Sequence, residues 1–137
     1  MRVLAVDPGE KNIGIAISDP SGTVANPLTV LRHVARQTDA DAILALAIEN
    51  QAGMIVVGQP LDADGEVGYQ GRKSNRLAGA LRGKTDLPVI LWDESHSTRK
   101  AREAQIALGT PKRDRMGHLD DLAAVVILQS FLDSQSE

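Results

Sequence analysis

Two runs of branched apolar residues, Val3–Val6 and Ile13–Ile17, stand six residues apart in the stretch VLAVDPGEKNIGIAISD. β-Branched side chains dominate both runs, and Pro8, Gly9 and Asn12 supply turn chemistry between them, so the spacing predicts an antiparallel hairpin. A connection this short commits the first two strands to pair with each other. It also leaves Asp7 at the carboxyl end of the first strand. Aspartate often caps a turn through its own side chain, so this stretch alone does not separate a structural role for Asp7 from a chemical one.

The remaining elements narrow the architecture. GTVANPLTVLR (22–32) reads as a third strand, and Pro27, which cannot donate to a ladder, places it at an edge. TDADAILALAIENQ reads as a helix, with Thr38 and Asp41 resembling a capping box and Ile43, Leu44, Ala47 and Ile48 sharing one face. The continuous apolar runs GMIVVG (53–58) and LPVILWD (87–93) read as strands buried on both faces. Between them a Gly- and Asp-rich loop runs to about Gly68 and a polar helix to about Arg82. Ser97 or Thr98 can cap a further helix ending near Gly109; a basic loop then leads to a last helix, about Leu119 to Leu132, apolar around its middle. The order β-β-β-α-β-α-β-α-α predicts one α/β domain over residues 1–137. Its core is a mixed five-stranded sheet, three antiparallel strands then two parallel, flanked by helices on both faces.

Composition removes several function classes. A chain of 137 residues is one domain by size. It has no cysteine, which excludes disulfides, thiol catalysis and thiolate zinc sites. Trp92, Tyr69 and Phe131 are the only aromatics, too few for a base-stacking platform. Its apolar runs are too short for a signal peptide or a membrane span, so a cytoplasmic protein without a membrane partner is expected. The net charge of −3 hides a segregation of sign. Arg99, Lys100, Arg102, Lys112, Arg113 and Arg115 form one basic group, and Arg72, Lys73, Arg76, Arg82 and Lys84 a second. Each group reads equally as a solvated helix face or as a phosphate-binding surface.

Ligands of open α/β sheets bind beyond the carboxyl ends of the parallel strands. Asp7 lies at that edge, WDES brings Asp93 and Glu94 to the end of the last strand, and HLDDLAAVVIL puts Asp120 and Asp121 at the start of the last helix. Converging carboxylates repel one another unless a cation neutralises them. With no cysteine and three histidines, an oxygen-only ligand set suits Mg²⁺ or Mn²⁺. Two such ions can activate water and stabilise the leaving oxygen of a phosphodiester. Plainer roles exist for each acid taken singly: Asp120 and Asp121 complement a helix dipole, worth about 0.3–1 kcal/mol, while Asp93 forms a turn and Glu94 sits in water.

Four blocks in order, VDPGEKNIGIAISD, IVVGQPLDADGEVG, DESHSTRKA and LDDLAAVVIL, resemble the YqgF/RuvX family of Holliday-junction-resolvase-like proteins, from Arg2 to about Leu132. The resemblance implies an RNase H-like fold and a part in maturing the 5′ end of 16S ribosomal RNA. It also implies that Asp7, Glu94 and Asp120 are the catalytic and metal-holding acids, with Asp121 a neighbour. This chain departs from the family pattern after that glutamate, where Ser95 and His96 stand in place of the usual arginine. Asp62, Asp64 and Gly65 match a loop of the family, although a tight turn explains them equally well. His118 reads either as a proton shuttle or as an exposed histidine.

The leading expectation is a metal-dependent endonuclease that hydrolyses phosphodiester bonds in structured RNA, namely precursor ribosomal RNA, with Mg²⁺ or Mn²⁺. Arg99, Lys100, Lys112, Arg113 and Arg115 would position the phosphate backbone without reading bases. A resolvase acting on branched DNA is the alternative, and its paired cuts would require a homodimer where RNA trimming needs only a monomer. A non-catalytic nucleic-acid-binding module is a further reading, weighed against by three intact acids. ATP-handling proteins of the actin and sugar-kinase type share the Asp-x-Gly hairpin but need two such domains, and this chain supplies one.

Overall fold

In the computed structural model the described residues are 1–93 and 112–135, with 112–121 described through their backbone. The first apolar run forms β1 (Arg2–Pro8) and the second forms β2 (Asn12–Ser18), antiparallel, with Leu4 opposite Ile17 and Pro8 opposite Ile13. Their turn closes through the Gly9 N–H donating to the Asn12 carbonyl at 3.0 Å. A Cβ on Gly9 would stand 2.4 Å from that same oxygen, so the turn requires glycine. β3 (Ala25–Arg32) adds to β2 antiparallel; α1 (Arg36–Glu49) then crosses to β4 (Ala52–Gln59), parallel to β1. α2 (Tyr69–Arg82) leads to β5 (Val89–Asp93), parallel to β4, and α3 (Lys112–Gln135) is the last described helix. The sheet order is β3-β2-β1-β4-β5.

Pro27 does lie on an edge strand. The register steps from Ile15 opposite Thr29 to Ala16 opposite Pro27, so Leu28 is an extra residue and the strand bulges beside the proline.

β1 alternates its side chains between two separate cores, which is why Val3 to Val6 are all buried. Leu4 and Val6 face α1 and α2, packing with Ile43, Leu44, Leu77 and Leu81. Val3 and Ala5 face α3, packing with Ala124, Ile127, Leu128 and Phe131. Among the described residues, helices therefore cover both faces, α1 and α2 on one side and α3 on the other.

Two local expectations are corrected. α1 starts at Arg36 with Ala35 at its N-cap and no side-chain cap, rather than through a Thr38–Asp41 capping box. Asp41 is taken by a tertiary partner, Lys84 at 2.9 Å, while buried Asp39 is engaged locally, accepting from the Val34 N–H at 3.0 Å and meeting His33 Nδ1 at 2.5 Å. α3 begins at Lys112 and not near Leu119, so the segment read as a basic loop supplies the helix's first two turns. Lys, Arg and Met are good helix formers, and the single glycine there, Gly117, costs only about 1 kcal/mol. The helix expected over 98–109 lies outside the described residues.

The β2–β3 turn carries a strongly shifted carboxyl. Asp19 accepts the Ser21 hydroxyl at 2.6 Å and the N–H groups of Thr23 at 2.7 Å and Val24 at 3.0 Å. These donors, the Ser21 hydroxyl foremost, lower its pKa from 3.8 to about 2. A depressed carboxyl pKa stabilises the fold fully above the unfolded value and ceases to do so as pH falls through the folded one. The turn's contribution is therefore lost between pH 3.8 and about 2. Carboxyl NMR should find the Asp19 midpoint at the low end of that window, and Asp19→Asn should remove this part of the acid dependence. An ordinary carboxyl midpoint would refute the turn geometry.

Candidate functional site

The carboxyl ends of the three parallel strands lie side by side. Val6 pairs with Val57 and Gly58 with Trp92, so Asp7, Gly58 and Trp92 share one level across β1, β4 and β5. Strand alternation puts Asp7 on the face of Val3 and Ala5, the face covered by α3, with its side chain half-buried. Gly58 offers no side chain between Asp7 and Trp92 on that face. Asp93 ends β5, exposed, and Glu94 is the next residue along the chain, beyond the described ones.

α3 is fixed over the sheet at its far end. The Gln129 side chain accepts the Ala25 N–H and donates to the Thr23 carbonyl, both at 3.0 Å, anchoring the helix at the start of β3. Ala25 pairs with Ser18, whose hydroxyl accepts the Val3 N–H at 2.8 Å, so this anchor lies at the amino end of β1. Trp92 stands edge-on to Phe131 with ring centroids 5.4 Å apart, and its Nε1 donates to Ser130 at 3.3 Å. These contacts join α3 to β5. Asp120 lies on α3 nine residues before Gln129, a distance of roughly 13 Å along a helix axis.

The predicted acids thus divide. Asp7 is at the expected strand end and Asp120 is on the helix that covers its face, while Glu94 is outside the described residues. Among the described residues no three carboxylates or imidazoles gather as a metal site, and Asp7 is the one predicted acid whose side chain is described. Of the predicted basic residues, Lys112, Arg113 and Arg115 lie in the opening turn of α3, and Arg99 and Lys100 lie outside the description, as do Ser95 and His96. His118 and Asp121 are on the α3 backbone.

The loop after β4 takes the turn reading. The Gly65 N–H donates to the Asp62 carbonyl at 2.9 Å, the Asp62 N–H to the Glu66 carbonyl at 2.8 Å, and the Glu66 N–H to Asp64 Oδ1 at 3.1 Å. Gly65 has φ of +83°, which glycine alone adopts at no cost. The Asp64 carboxylate and the Asp62 backbone thus serve a tight turn.

The second basic group, read from the sequence as a unit, separates in three dimensions. Arg82 donates twice to the Val89 carbonyl, at 3.0 and 2.7 Å, Lys84 pairs with Asp41, and Arg72 reaches the Val67 carbonyl at 3.4 Å. Lys73 and Arg76 instead line a hollow with Arg36, on the face opposite α3. The sequence signal for this was the three-residue spacing of Lys73 and Arg76 on α2; Arg36, from α1, carried none.

The fold is RNase H-like, of the kind found in resolvases. It matches Thermus thermophilus RuvC in complex with a Holliday junction substrate at a TM-score of 0.60 and 15% identity, covering 99% of this chain and 96% of that one. It matches fowlpox virus resolvase with Holliday junction DNA at 0.61 and 14%, covering 100% of both.

The chain belongs to the RuvX family, described as Holliday junction resolvase, whose sequence model it matches over residues 1–134. It is 41% identical over 136 residues to a protein of Thermoanaerobacter pseudethanolicus named "Putative pre-16S rRNA nuclease", covering 98% of each. A protein of the same name from Syntrophus aciditrophicus is 41% identical over 137 residues, covering 100% of this chain and 91% of that one.

Proposed function

We propose that the protein is a metal-dependent nuclease that cuts precursor 16S ribosomal RNA, with Asp7, Glu94 and Asp120 as its catalytic acids. The observation that carries this reading is Asp7, half-buried at the carboxyl end of the central strand and under the helix that bears Asp120. The substrate class comes from relatives matching almost end to end. The donor chemistry fits hard cations: with no cysteine in the chain, the three acids offer oxygen ligands to Mg²⁺ or Mn²⁺. When bound, such ions supply Lewis acidity and an activated water for in-line phosphodiester hydrolysis.

The chain's own residues do the rest. Asp7 offers its carboxylate from a strand held in both cores, a rigid support for a reacting centre. Arg99, Lys100, Lys112, Arg113 and Arg115 would bind backbone phosphates and hold the strand in register. Ser95 leaves the position of the family's arginine without a guanidinium, so the neighbouring cations carry that load. Resolution of a four-way DNA junction is the second reading, favoured by the fold shared with junction-bound resolvases.

The test is cleavage of a precursor 16S transcript and of a four-way junction, each with Mn²⁺ or Mg²⁺. RNA cleavage with an intact junction is the expected result; junction cleavage alone would favour the resolvase, and no cleavage of either would leave a binding module. In the same assay Asp120→Asn should abolish activity and Asp121→Asn should be mild, because adjacent helical residues point about 100° apart. The reverse ranking would move the catalytic acid to Asp121.

A further inference from the structure

On the side of the sheet away from α3, two hollows of about 270 and 480 Å³ adjoin through His33. Arg36, Lys73 and Arg76 line the first, and Lys11 and Arg32 the second. Among the described residues, none of these five cations is in an ion pair. Two carboxylates share the lining and both are engaged: buried Asp39 by His33 and the Val34 N–H, Glu10 by the Gln70 amide at 2.8 Å. Five cations outnumber the two carboxylates in this concave surface, so the strip, with Pro8, Ile13 and Leu77 as apolar wall, carries a net positive potential.

The shape and chemistry of this strip select its ligand. Two hollows in series suit a repeating anion better than a single one. The aromatic rings in the lining are Tyr69, with Lys73 Nζ 6.0 Å from its centroid, and the His33 imidazole, held by Asp39, so bases have little to stack on. We propose that the strip is a second nucleic-acid contact surface, holding backbone phosphates of the substrate strand on the α1/α2 side of the β1–β2 hairpin. Asp7 lies on the other side of that hairpin, so the strip contributes affinity and register while the chemistry proceeds across the turn. The inference rests on the nucleic-acid reading above and adds to it a surface distinct from residues 99–115.

The test is fluorescence anisotropy with the full chain, a labelled RNA hairpin and a labelled four-way DNA junction, titrated across salt concentrations. The triple variant Arg36→Ala, Lys73→Ala, Arg76→Ala should weaken binding at least tenfold at physiological salt. Its slope of log K against log salt should fall by roughly 2–3, the loss expected for three phosphate contacts. The pair Arg72→Ala, Lys84→Ala, on cations already engaged elsewhere, should leave the slope unchanged. Thermal melting confirms that both variants fold. A wild-type slope in the triple variant overturns this surface and leaves the nuclease reading standing. An equal loss in the control pair reduces the effect to net charge and also overturns it. Absence of salt-dependent binding by the wild type to either probe overturns both readings together.

Discussion

Asp7→Asn is expected to abolish phosphodiester cleavage while the protein remains folded and as stable as the wild type. The substitution conserves volume at a half-buried site, and the flanking Val6 and Pro8 keep their ladder partners. What changes is charge. If Asp7 is one of three converging carboxylates, removing it relieves repulsion in the metal-free protein, so the melting temperature should hold or rise slightly. Loss of a charged group acting on the reacting centre should cost at least about 10²–10³-fold in rate. The two readouts separate the roles: unimpaired cleavage would remove Asp7 from the chemistry. A stability loss above about 1 kcal/mol would make it a turn cap instead.

Phe131→Ala carries the largest expected effect on stability. The ring is 4% exposed, packed in the core beneath α3 and edge-on to Trp92. Truncating a buried aromatic costs about 3–5 kcal/mol, since packing is lost and the cavity collapses only in part. At this size that should lower the melting temperature by roughly 10–20 °C. The ring also joins α3 to β5, which ends one residue before Glu94. Activity should therefore fall even at temperatures where the variant is still folded. Trp92→Phe keeps an aromatic ring but loses the donor to Ser130 and part of the packed surface of a half-buried indole, so its cost should be about 1–2 kcal/mol. Equal losses from the two variants would show that the Phe131 ring is not the main tie between α3 and β5.

The strands were legible in the sequence because their signals are local. The runs read for β1, β2, β4 and β5 fall within one or two residues of the observed strands, whereas β3, read over 22–32, starts three residues later at Ala25; Pro27 alone gave it its place at the edge. α2 ends at Arg82 as read. Misreadings arose where tertiary partners outbid local ones. Thr38 and Asp41 look like the capping box of a helix opening at Thr38, yet α1 opens at Arg36 and the Asp41 carboxylate is taken by Lys84, from beyond α2. The start of α3 was misplaced because charge density resembles a loop, although the side chains involved favour helix. Within the candidate site, the position of Asp7 followed from hairpin spacing and the expected convergence of the other acids from strand and helix order, whereas the choice of Glu94 over Asp93 and of Asp120 over Asp121 rested on family motifs. The cationic strip was illegible because Lys11, Arg32, Arg36, Lys73 and Arg76 meet only after three strands and two helices have packed.

The bulge at Leu28 and the proline beside it bear on the behaviour of the protein at high concentration. An uncovered sheet margin is a template on which a second chain can lay down a strand, the first step toward aggregates. Here the outer strand is kinked, and Pro27 withholds a donor that an incoming strand would need, so its ladder is interrupted near the middle. The same device would disfavour any assembly built by continuing the sheet past β3, whereas helix-mediated association remains open to the protein. At this margin, resistance to strand addition then depends on one ring that withholds one hydrogen bond.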